Sequence, residues 1–192
     1  SFFAARLVSS LTVGSVLVAL SPIVRIPLPE AAPLRIVLAL LEQCDVRSLI
    51  QAQRHAAMTL LLDLARSHWA SLASSACRIL VLTVRSLDGE KDPRNLLLYF
   101  QLLRALTTKC DASAVGGLAE VLPEIFEALM SYVPITFTAP ANAPHQITAA
   151  HLLQAMLRTL RASSHFGPLA VAFLAAKMTE EADDDEAHAV RL

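Results

Sequence analysis

The side chains that could carry out chemistry are spread along this chain without the spacing that catalysis requires. Its six histidines never form an HxxxH or HExxH pair, so neither a histidine metal site nor a histidine general base is indicated. No GxSxG, P-loop or GxGxxG motif occurs, and no pair of carboxylates accompanies a nucleophile. Gly116-Gly117 is interpreted as a turn before a helix. The sequence therefore predicts no enzymatic activity and no bound cofactor.

The three cysteines are the remaining groups with reactive or metal-binding chemistry. Cys44, Cys77 and Cys110 are equally spaced, at 33 residues, and each falls in a stretch that is predicted to be helical. Their number is odd and no CxxC occurs, which favours a reducing compartment, the cytosol or the nucleus. No other ligand stands at a suitable spacing, so we expect no metal site. The equal spacing is weak evidence for a repeat.

The charge of the chain is unevenly distributed. The formal net charge is -1, but residues 180–186 alone carry six carboxylates. Without residues 180–192 the chain has 15 Lys and Arg against 11 Asp and Glu. The basic residues are scattered rather than clustered, so direct binding to nucleic acid is not expected. Residues 179–192 are predicted to be a disordered acidic tail or linker, with binding to a basic partner as the alternative.

Composition and turn signals predict a protein built of helices. Apolar residues make up 55% of the chain, Leu and Ala dominate, and there are only 5 glycines. The stretch Ser21–Pro33 has four prolines and is not expected to form a regular helix interior. Turn signals divide the sequence into predicted helices at about 2–20, 34–44, 46–67, 69–86, 93–109, 117–132, 149–162 and 166–178.

Three of these helices have a recognisable first residue. Asp45 is predicted to be the N-cap of the helix over 46–67, and Thr148 that of the helix over 149–162. Asp92 precedes Pro93, which keeps Asp92 out of the helical region and is itself well suited to the first helical position. Asp92 is therefore predicted to be an N-cap as well.

The helices form pairs at intervals of roughly 35–50 residues, which is the period of HEAT and armadillo repeats. The Asp45-Val46-Arg47 sequence also resembles a turn that is common in HEAT repeats. One helix pair cannot bury its apolar face alone, so neighbouring pairs must stack. The predicted fold is an all-α, HEAT/armadillo-like solenoid of antiparallel helix pairs over residues 1–178.

One stretch permits an alternative from another class of protein. Leu7–Val24 contains 18 uncharged residues between Arg6 and Arg25. It also contains four serines, a threonine, a glycine and a proline, which is polar for a segment that spans a bilayer of about 30 Å. We favour a buried solenoid helix, and a membrane protein that uses residues 7–24 is the alternative.

Two segments go beyond general helix patterning. They are DGEKDPRNLLLYF, residues 88–100, and VPITFTAPANAPHQITAAHLL, residues 133–153. Their order and spacing resemble the N-terminal domain of the methyl-methanesulfonate-sensitivity nucleotide excision repair family, and the opening SFFAARL is similar too. The resemblance covers most of residues 1–178. In the proline-rich loop Ala143 replaces an acidic residue of the family.

The resemblance implies a HEAT-repeat adaptor of cytosolic iron–sulfur protein assembly. Such adaptors connect a targeting complex, which contains a WD40 protein and its small partner, to iron–sulfur client proteins such as DNA helicases and polymerases. The chain would form the N-terminal part of a longer solenoid in the cytoplasm and nucleus, without binding a membrane. A HEAT-type scaffold of another pathway, such as nuclear transport, is the alternative among binding proteins.

The two resembling segments also contain the candidate protein-binding residues. The charged run after residue 88 either docks a partner or forms only a turn, an N-cap and local ion pairs. The loop over 133–147 either presents apolar anchors or packs them back onto the solenoid. The candidates are Glu90, Lys91, Asp92 and Arg94 in the run, and Ile135 and Phe137 in the loop.

Overall fold

The computed structural model describes residue 6 and residues 12–110, 117–136 and 147–189, with side chains as far as residue 179. Helices and turns account for these residues, and no strand occurs among them, which confirms the all-α class. In chain order the α-helices are α1 (Val13–Ile23), α2 (Ala32–Leu38), α3 (Gln51–Ser67), α4 (Trp69–Leu72), α5 (Ala76–Leu87), α6 (Pro93–Thr107), α7 (Leu118–Met130), α8 (Ala149–Leu160) and α9 (Phe166–Ala189).

Shorter helical segments complete these elements. One π-helical segment, Ala39–Gln43, continues α2. Two 3₁₀ segments, Val46–Ser48 and Ala73–Ser75, precede α3 and α5.

The helices lie in two rows, as stacked helix pairs require. The first row is α1, α3, α6 and α8, in which α3 packs on α1 and α6 packs on both α3 and α8. The second row is the π-helical segment, α5, α7 and α9, each packed on the next. Helices α5 and α6 join the rows. Each helix thus packs on its neighbours in the stack, which is the arrangement of an α-solenoid.

Polar contacts between neighbouring layers show the repeat length directly. Arg54 pairs with Glu90, 36 residues on, and Ser86 donates to the carbonyl of Leu41, 45 residues back. Other links between layers fall within this interval. Thr159 and the carbonyl of Phe100 are 59 residues apart, because the proline-rich loop lengthens that repeat. The interval agrees with the period of HEAT-type repeats.

Aliphatic side chains from both rows form one continuous core. The largest fully buried side chains include Tyr99, Phe100 and Phe166. Tyr132 closes an aromatic cluster, with its ring centroid 5.8 Å from that of Phe100 in an edge-on arrangement and 6.2 Å from that of Tyr99. Such tilted and edge-on contacts are the favourable geometries for aromatic rings. The cluster fixes the end of α7 against the middle of α6.

Two of the three predicted helix caps are confirmed. The Asp92 carboxylate accepts hydrogen bonds from the backbone N–H groups of Arg94 (3.0 Å) and Asn95 (3.2 Å). The Thr148 hydroxyl accepts from the N–H of His151, and the N–H of Thr148 donates to Nδ1 of His151, both over 3.2 Å. This is a capping box in which histidine takes the place of the usual Glu or Gln.

The prediction that Asp45 caps the following helix is wrong. Asp45 precedes the 3₁₀ turn and its side chain makes no cap hydrogen bond. Its carbonyl instead accepts from the Ser48 hydroxyl over 2.8 Å. The chain then becomes extended at Leu49, and α3 begins only at Gln51 after Ile50. Local hydrogen bonding by Ser48 competes with the helix and delays its start.

Helix ends differ from the prediction where proline and acidic residues were interpreted too strictly. Helix α1 continues through Pro22 to Ile23, since a proline in the last turn removes only one hydrogen bond. Helix α9 continues to Ala189 rather than ending near residue 178, because the acidic stretch contains good helix formers and neither Gly nor Pro. Among residues 2–11, only residue 6 is described. The domain boundary at 178 stays a prediction.

One described stretch is long and apolar enough to cross a membrane on length and composition alone. It is Trp69–Leu87, and it contributes Leu72, Ile79 and Leu80 to the core. Helix α1, which contains most of the described part of residues 7–24, has only 11 residues.

Removing the Asp92 cap should destabilise the protein more than removing Asp45. We expect Asp92→Ala to lower the free energy of unfolding by about 1 kcal/mol, and Asp92→Ala with Pro93→Gly by about 1–2 kcal/mol. Asp45→Ala, the matched control, should change it by less than about 0.5 kcal/mol, because no cap bond is lost. Urea unfolding followed by circular dichroism measures both. Equal effects of the two Asp→Ala changes would refute the assignment of the caps.

Candidate protein-binding site

The two segments that carry the resemblance meet in the folded chain. The turn after α5 and the segment after α7 line a common cavity of about 410 Å³. Lys91 and Ser131 contribute polar groups to it, and Ile135 and Leu152 contribute apolar groups. Residues that are 40 or more apart in the sequence therefore form one surface.

Glu90 is the central residue of this site. Its side chain is only 2% exposed, and its carboxylate receives Nε of Arg54 at 2.7 Å and Nη2 of Arg54 at 3.0 Å. The same carboxylate accepts from the backbone N–H groups of Lys91 and Asp92, each over 2.9 Å. A buried charge is tolerated only when it is paired and hydrogen-bonded in this way. The turn is therefore fixed by its own carboxylate.

Asn95 extends this network to α3. It is fully buried, and its Nδ2 donates to Glu90 (3.1 Å) and to the carbonyl of Gln51 (3.3 Å). Its Oδ1 lies 2.9 Å from Nδ1 of His55. Since the Arg54 guanidinium also donates to the carbonyl of Leu49, just before α3, two repeats are joined through one polar cluster. The first turn of α6 is thereby held against the first turn of α3.

Tyr132 fixes the other side of the turn. Its hydroxyl oxygen accepts from the backbone N–H groups of Gly89 (2.9 Å) and Glu90 (3.1 Å). Gly89 has φ of +80°, a left-handed conformation that glycine adopts without a steric penalty. Burial, together with the nearby Asp88 carboxylate, raises the pKa of Tyr132 to about 12, so the phenol stays protonated at neutral pH. The α7 end and the α5–α6 turn are thus held together.

The carboxylates of the turn are stabilised in their charged form. Burial raises the pKa of Glu90, but the hydrogen bonds from Arg54, the Asp92 N–H and Asn95 together outweigh it, so this pKa lies below its ordinary value. Burial also raises the pKa of Asp92. Hydrogen bonds from Arg94 and from the Asn95 N–H outweigh this effect, so the pKa of Asp92 lies below its ordinary value as well. Both groups are anionic in the folded protein at neutral pH.

The structure separates the predicted site residues into two groups. Glu90 and Asp92 face inward and hold the turn. For these two residues the structure agrees with the second alternative given above, in which the charged run forms a turn, an N-cap and local ion pairs. Lys91 is exposed, and Arg94 is 62% exposed with only a 3.4 Å contact to Asp92. The side chains of both cations therefore reach solvent, and Arg94 is also paired with Asp92.

The loop residues differ in what can be said of them. Ile135 is half-buried and packs against the core while it lines the cavity, so it is an anchor only in part. Phe137 lies outside the described residues. Val133 is 40% exposed and contributes apolar surface next to Ile135.

Sequence reasoning missed three residues that build this site. The sequence analysis singled out neither Arg54 nor Asn95, and it gave Tyr132 no role in the site. The available signal was Glu90 itself, because a carboxylate between Gly89 and a cap requires partners when it is buried. Nothing in the sequence states that one partner lies 36 residues earlier.

The polar side chains of the site are mostly occupied by contacts within the protein. Across the part of the chain that the structure describes, no three His, Cys, Asp or Glu side chains stand together as a metal site would need. The polar groups at the centre of the site are consumed by internal hydrogen bonds, and what remains at the surface is a rigid cavity with cationic and apolar margins. Such a surface can recognise another protein.

Comparison with known proteins places the chain next to repair and transcription proteins. A family model described as a Dos2-interacting transcription regulator of RNA-Pol-II matches residues 1–190. The MMS19 nucleotide excision repair protein homolog of Xenopus laevis is 30% identical over 154 residues, which are 80% of this chain and 15% of that protein. Its Homo sapiens counterpart is 30% identical over 156 residues, which are 81% of this chain and 15% of that protein.

A shorter match shows the same pattern. A DNA repair/transcription protein of Saccharomyces cerevisiae is 35% identical over 92 residues, which are 48% of this chain and 8% of that protein. The chain thus spans about one seventh of the length of the first two relatives. No solved structure matches the chain.

Loss of the Glu90 carboxylate should destabilise the fold strongly. Glu90→Ala leaves Arg54, Asn95 and two backbone N–H groups without their acceptor, and we expect a loss of about 3 kcal/mol in the free energy of unfolding. The matched control is Glu124→Ala, which breaks the exposed pair with Arg85 and should have only a small fraction of that effect. Urea unfolding measures both, and comparable effects would contradict the central role of Glu90.

The contribution of Glu90 should disappear in acid. A carboxyl whose folded pKa is depressed stabilises the protein fully above its unfolded pKa, about 4.3, and this contribution is lost as the pH falls through the folded value. The difference in unfolding free energy between the wild type and Glu90→Gln should therefore shrink between about pH 6 and about pH 3. Urea unfolding at a series of pH values tests this. A difference that stays constant with pH would show that Glu90 acts by packing alone.

Proposed function

Since this chain belongs to the MMS19 N-terminal family, a family of DNA repair and transcription proteins, we propose that it is part of a non-catalytic scaffold that delivers iron–sulfur clusters to such proteins. In this proposal the chain is the N-terminal portion of a longer solenoid. The solenoid connects a targeting complex, made of a WD40 protein and its small partner, to client proteins that include DNA helicases and polymerases. It acts in the cytoplasm and the nucleus.

One observation carries the proposal at the level of this chain. The two segments that resemble the family are far apart in the sequence, yet they share the cavity between the α5–α6 turn and the end of α7. The buried residues of these segments fix the position of the turn by hydrogen bonds, and their exposed residues form its surface. A scaffold needs such a preorganised surface, because a partner then binds without the cost of ordering it.

The exposed residues of the site define what a client would contact. Lys91 supplies positive charge at the cavity that Ile135 also lines, and the exposed Arg94 and Val133 are near them in the sequence. We therefore propose that clients dock through a surface with apolar residues and neighbouring carboxylates. In a solenoid this surface would lie on the edge where α5 turns into α6.

The test is client capture by the tagged chain from cell extract, followed by mass spectrometry. We expect iron–sulfur helicases or polymerases to be recovered, and recovery to fall at least about fivefold with Lys91→Glu plus Arg94→Glu, because rim charges govern encounter and partner choice. The matched control is Arg35→Glu, which changes an exposed arginine on α2, away from the site, and should leave recovery unchanged.

Thermal unfolding of each variant separates loss of binding from loss of structure. Recovery of no iron–sulfur protein by the wild type would reject client recognition by these repeats. Equal loss with Arg35→Glu would show that the captured proteins respond to overall charge and not to the site.

A further inference from the structure

A second concave surface lies on the first row of helices, away from the cavity described above. It is a groove of about 570 Å³ formed by α6, α8 and the last turn of α3. Its floor is apolar, with Leu97, Phe100 and Ala155. Its margin carries four cationic side chains, which are Arg66, Arg104, Lys109 and Arg158.

The cations of this groove form no ion pair with a carboxylate of the described residues. Five arginines elsewhere in the described residues each form an ion pair with Asp or Glu. Arg66, Arg104 and Arg158 form none with the described residues, and all three are exposed. No Asp or Glu is among the described residues that line the groove. Positive charge is therefore concentrated in one concavity of a chain whose formal net charge is -1.

The groove is preorganised by contacts beneath it. The Thr159 hydroxyl of α8 donates to the carbonyl of Phe100 on α6 over 2.9 Å, and this bond is buried. Lys109 donates to the carbonyl of Ala65 at 3.1 Å and lies 4.7 Å from the centroid of the Trp69 ring. These contacts fix the distance between the helices that carry the arginines. A ligand would meet the cationic margin without first ordering the helices.

We propose that this groove binds an acidic peptide segment of a partner protein that also carries apolar side chains. The arginines would receive the peptide's carboxylates, since a guanidinium matches a carboxylate with two parallel hydrogen bonds. An aliphatic or aromatic side chain of the peptide would cover Leu97 and Ala155 on the floor. A volume of about 570 Å³ holds a few side chains rather than a folded domain.

Two other anionic occupants fit the observations less well. Nucleic acid is bound along an extended track of phosphate contacts, whereas the four cations of this site surround one groove with an apolar floor. The acidic stretch of this chain, EEADDDE at 180–186, offers carboxylates but only a single alanine to cover that floor. The combination of charge and apolar surface is what favours a partner's acidic-hydrophobic peptide.

The test uses the purified 192-residue chain and does not depend on the scaffold proposal. The probe is a fluorescein-labelled peptide of ten residues that alternates Asp or Glu with Leu or Phe, and its control replaces each acid with Asn or Gln. Fluorescence anisotropy at about 50 mM and about 150 mM salt measures binding. We expect the acidic peptide to bind at least about tenfold more tightly than its neutral control, and more weakly at the higher salt.

Variants locate the site. Arg104→Glu with Arg158→Glu should weaken binding of the acidic peptide about tenfold or more, and Arg104→Gln with Arg158→Gln should weaken it less. The matched control is Arg161→Glu, which follows α8 but does not line the groove, and it should change affinity less than about twofold. Circular dichroism shows whether each double variant folds. If the Glu variant fails to fold, the Gln variant still tests the site.

Four outcomes would overturn the proposal. The first is equal affinity of the chain for the acidic and the neutral peptide. The second is undiminished affinity for the acidic peptide in both double variants of Arg104 and Arg158. The third is displacement of the probe by unlabelled EEADDDE as effectively as by unlabelled probe, which would make the chain's own acidic segment sufficient. The fourth is displacement by a single-stranded DNA oligonucleotide at lower concentration than by the unlabelled probe, which would identify a nucleic-acid site.

Discussion

The buried carboxylate of Glu90 is the interaction on which the geometry of the candidate site depends. It stands at the end of the α5–α6 turn and receives an arginine from α3, a buried asparagine from α6 and two N–H groups of its own turn. A charge in this position is stable only if both repeats are present, because neither repeat alone supplies all the donors. The site is therefore a property of two stacked layers, and this is how a solenoid can hold a loop rigidly without a disulfide or a metal.

Much of the fold could be predicted from the sequence because the signals are local. Helix periodicity, proline and capping residues predicted the all-α class and the stacking period, and Asp92 and Thr148 cap helices as expected. The predicted N-cap at Asp45 was wrong, because the Ser48 hydroxyl donates to the Asp45 carbonyl in a local turn. The predicted end of α9 was also wrong, because the acidic residues continue the helix. Helix ends depend on small differences between competing hydrogen bonds, which residue types alone do not fix.

The sites were less predictable because they depend on contacts between layers. The resemblance identified both segments of the cavity, but it could not show that Glu90 faces inward while Lys91 faces solvent. Nor could it show Tyr132 as the acceptor for the turn, since a tyrosine at a helix end is equally consistent with a surface position. The cationic groove was not predicted either, because it too depends on contacts between layers. Its arginines stand on three different helices, and only stacking makes those helix faces adjacent.

Helix α6 explains why two different surfaces can exist on so small a chain. Its apolar residues cover most of its circumference and are buried by α3, α5 and α8, which leaves one narrow polar stripe. That stripe begins at Arg94 beside the Glu90 turn and continues through Gln101 and Arg104 into the groove. Because a residue seven positions further on returns to nearly the same face, and residues three or four apart are neighbours on a helix surface, these polar residues form one stripe along α6. The burial that stabilises α6 thus also determines which of its side chains remain for partners, so packing and recognition are set by the same helical periodicity.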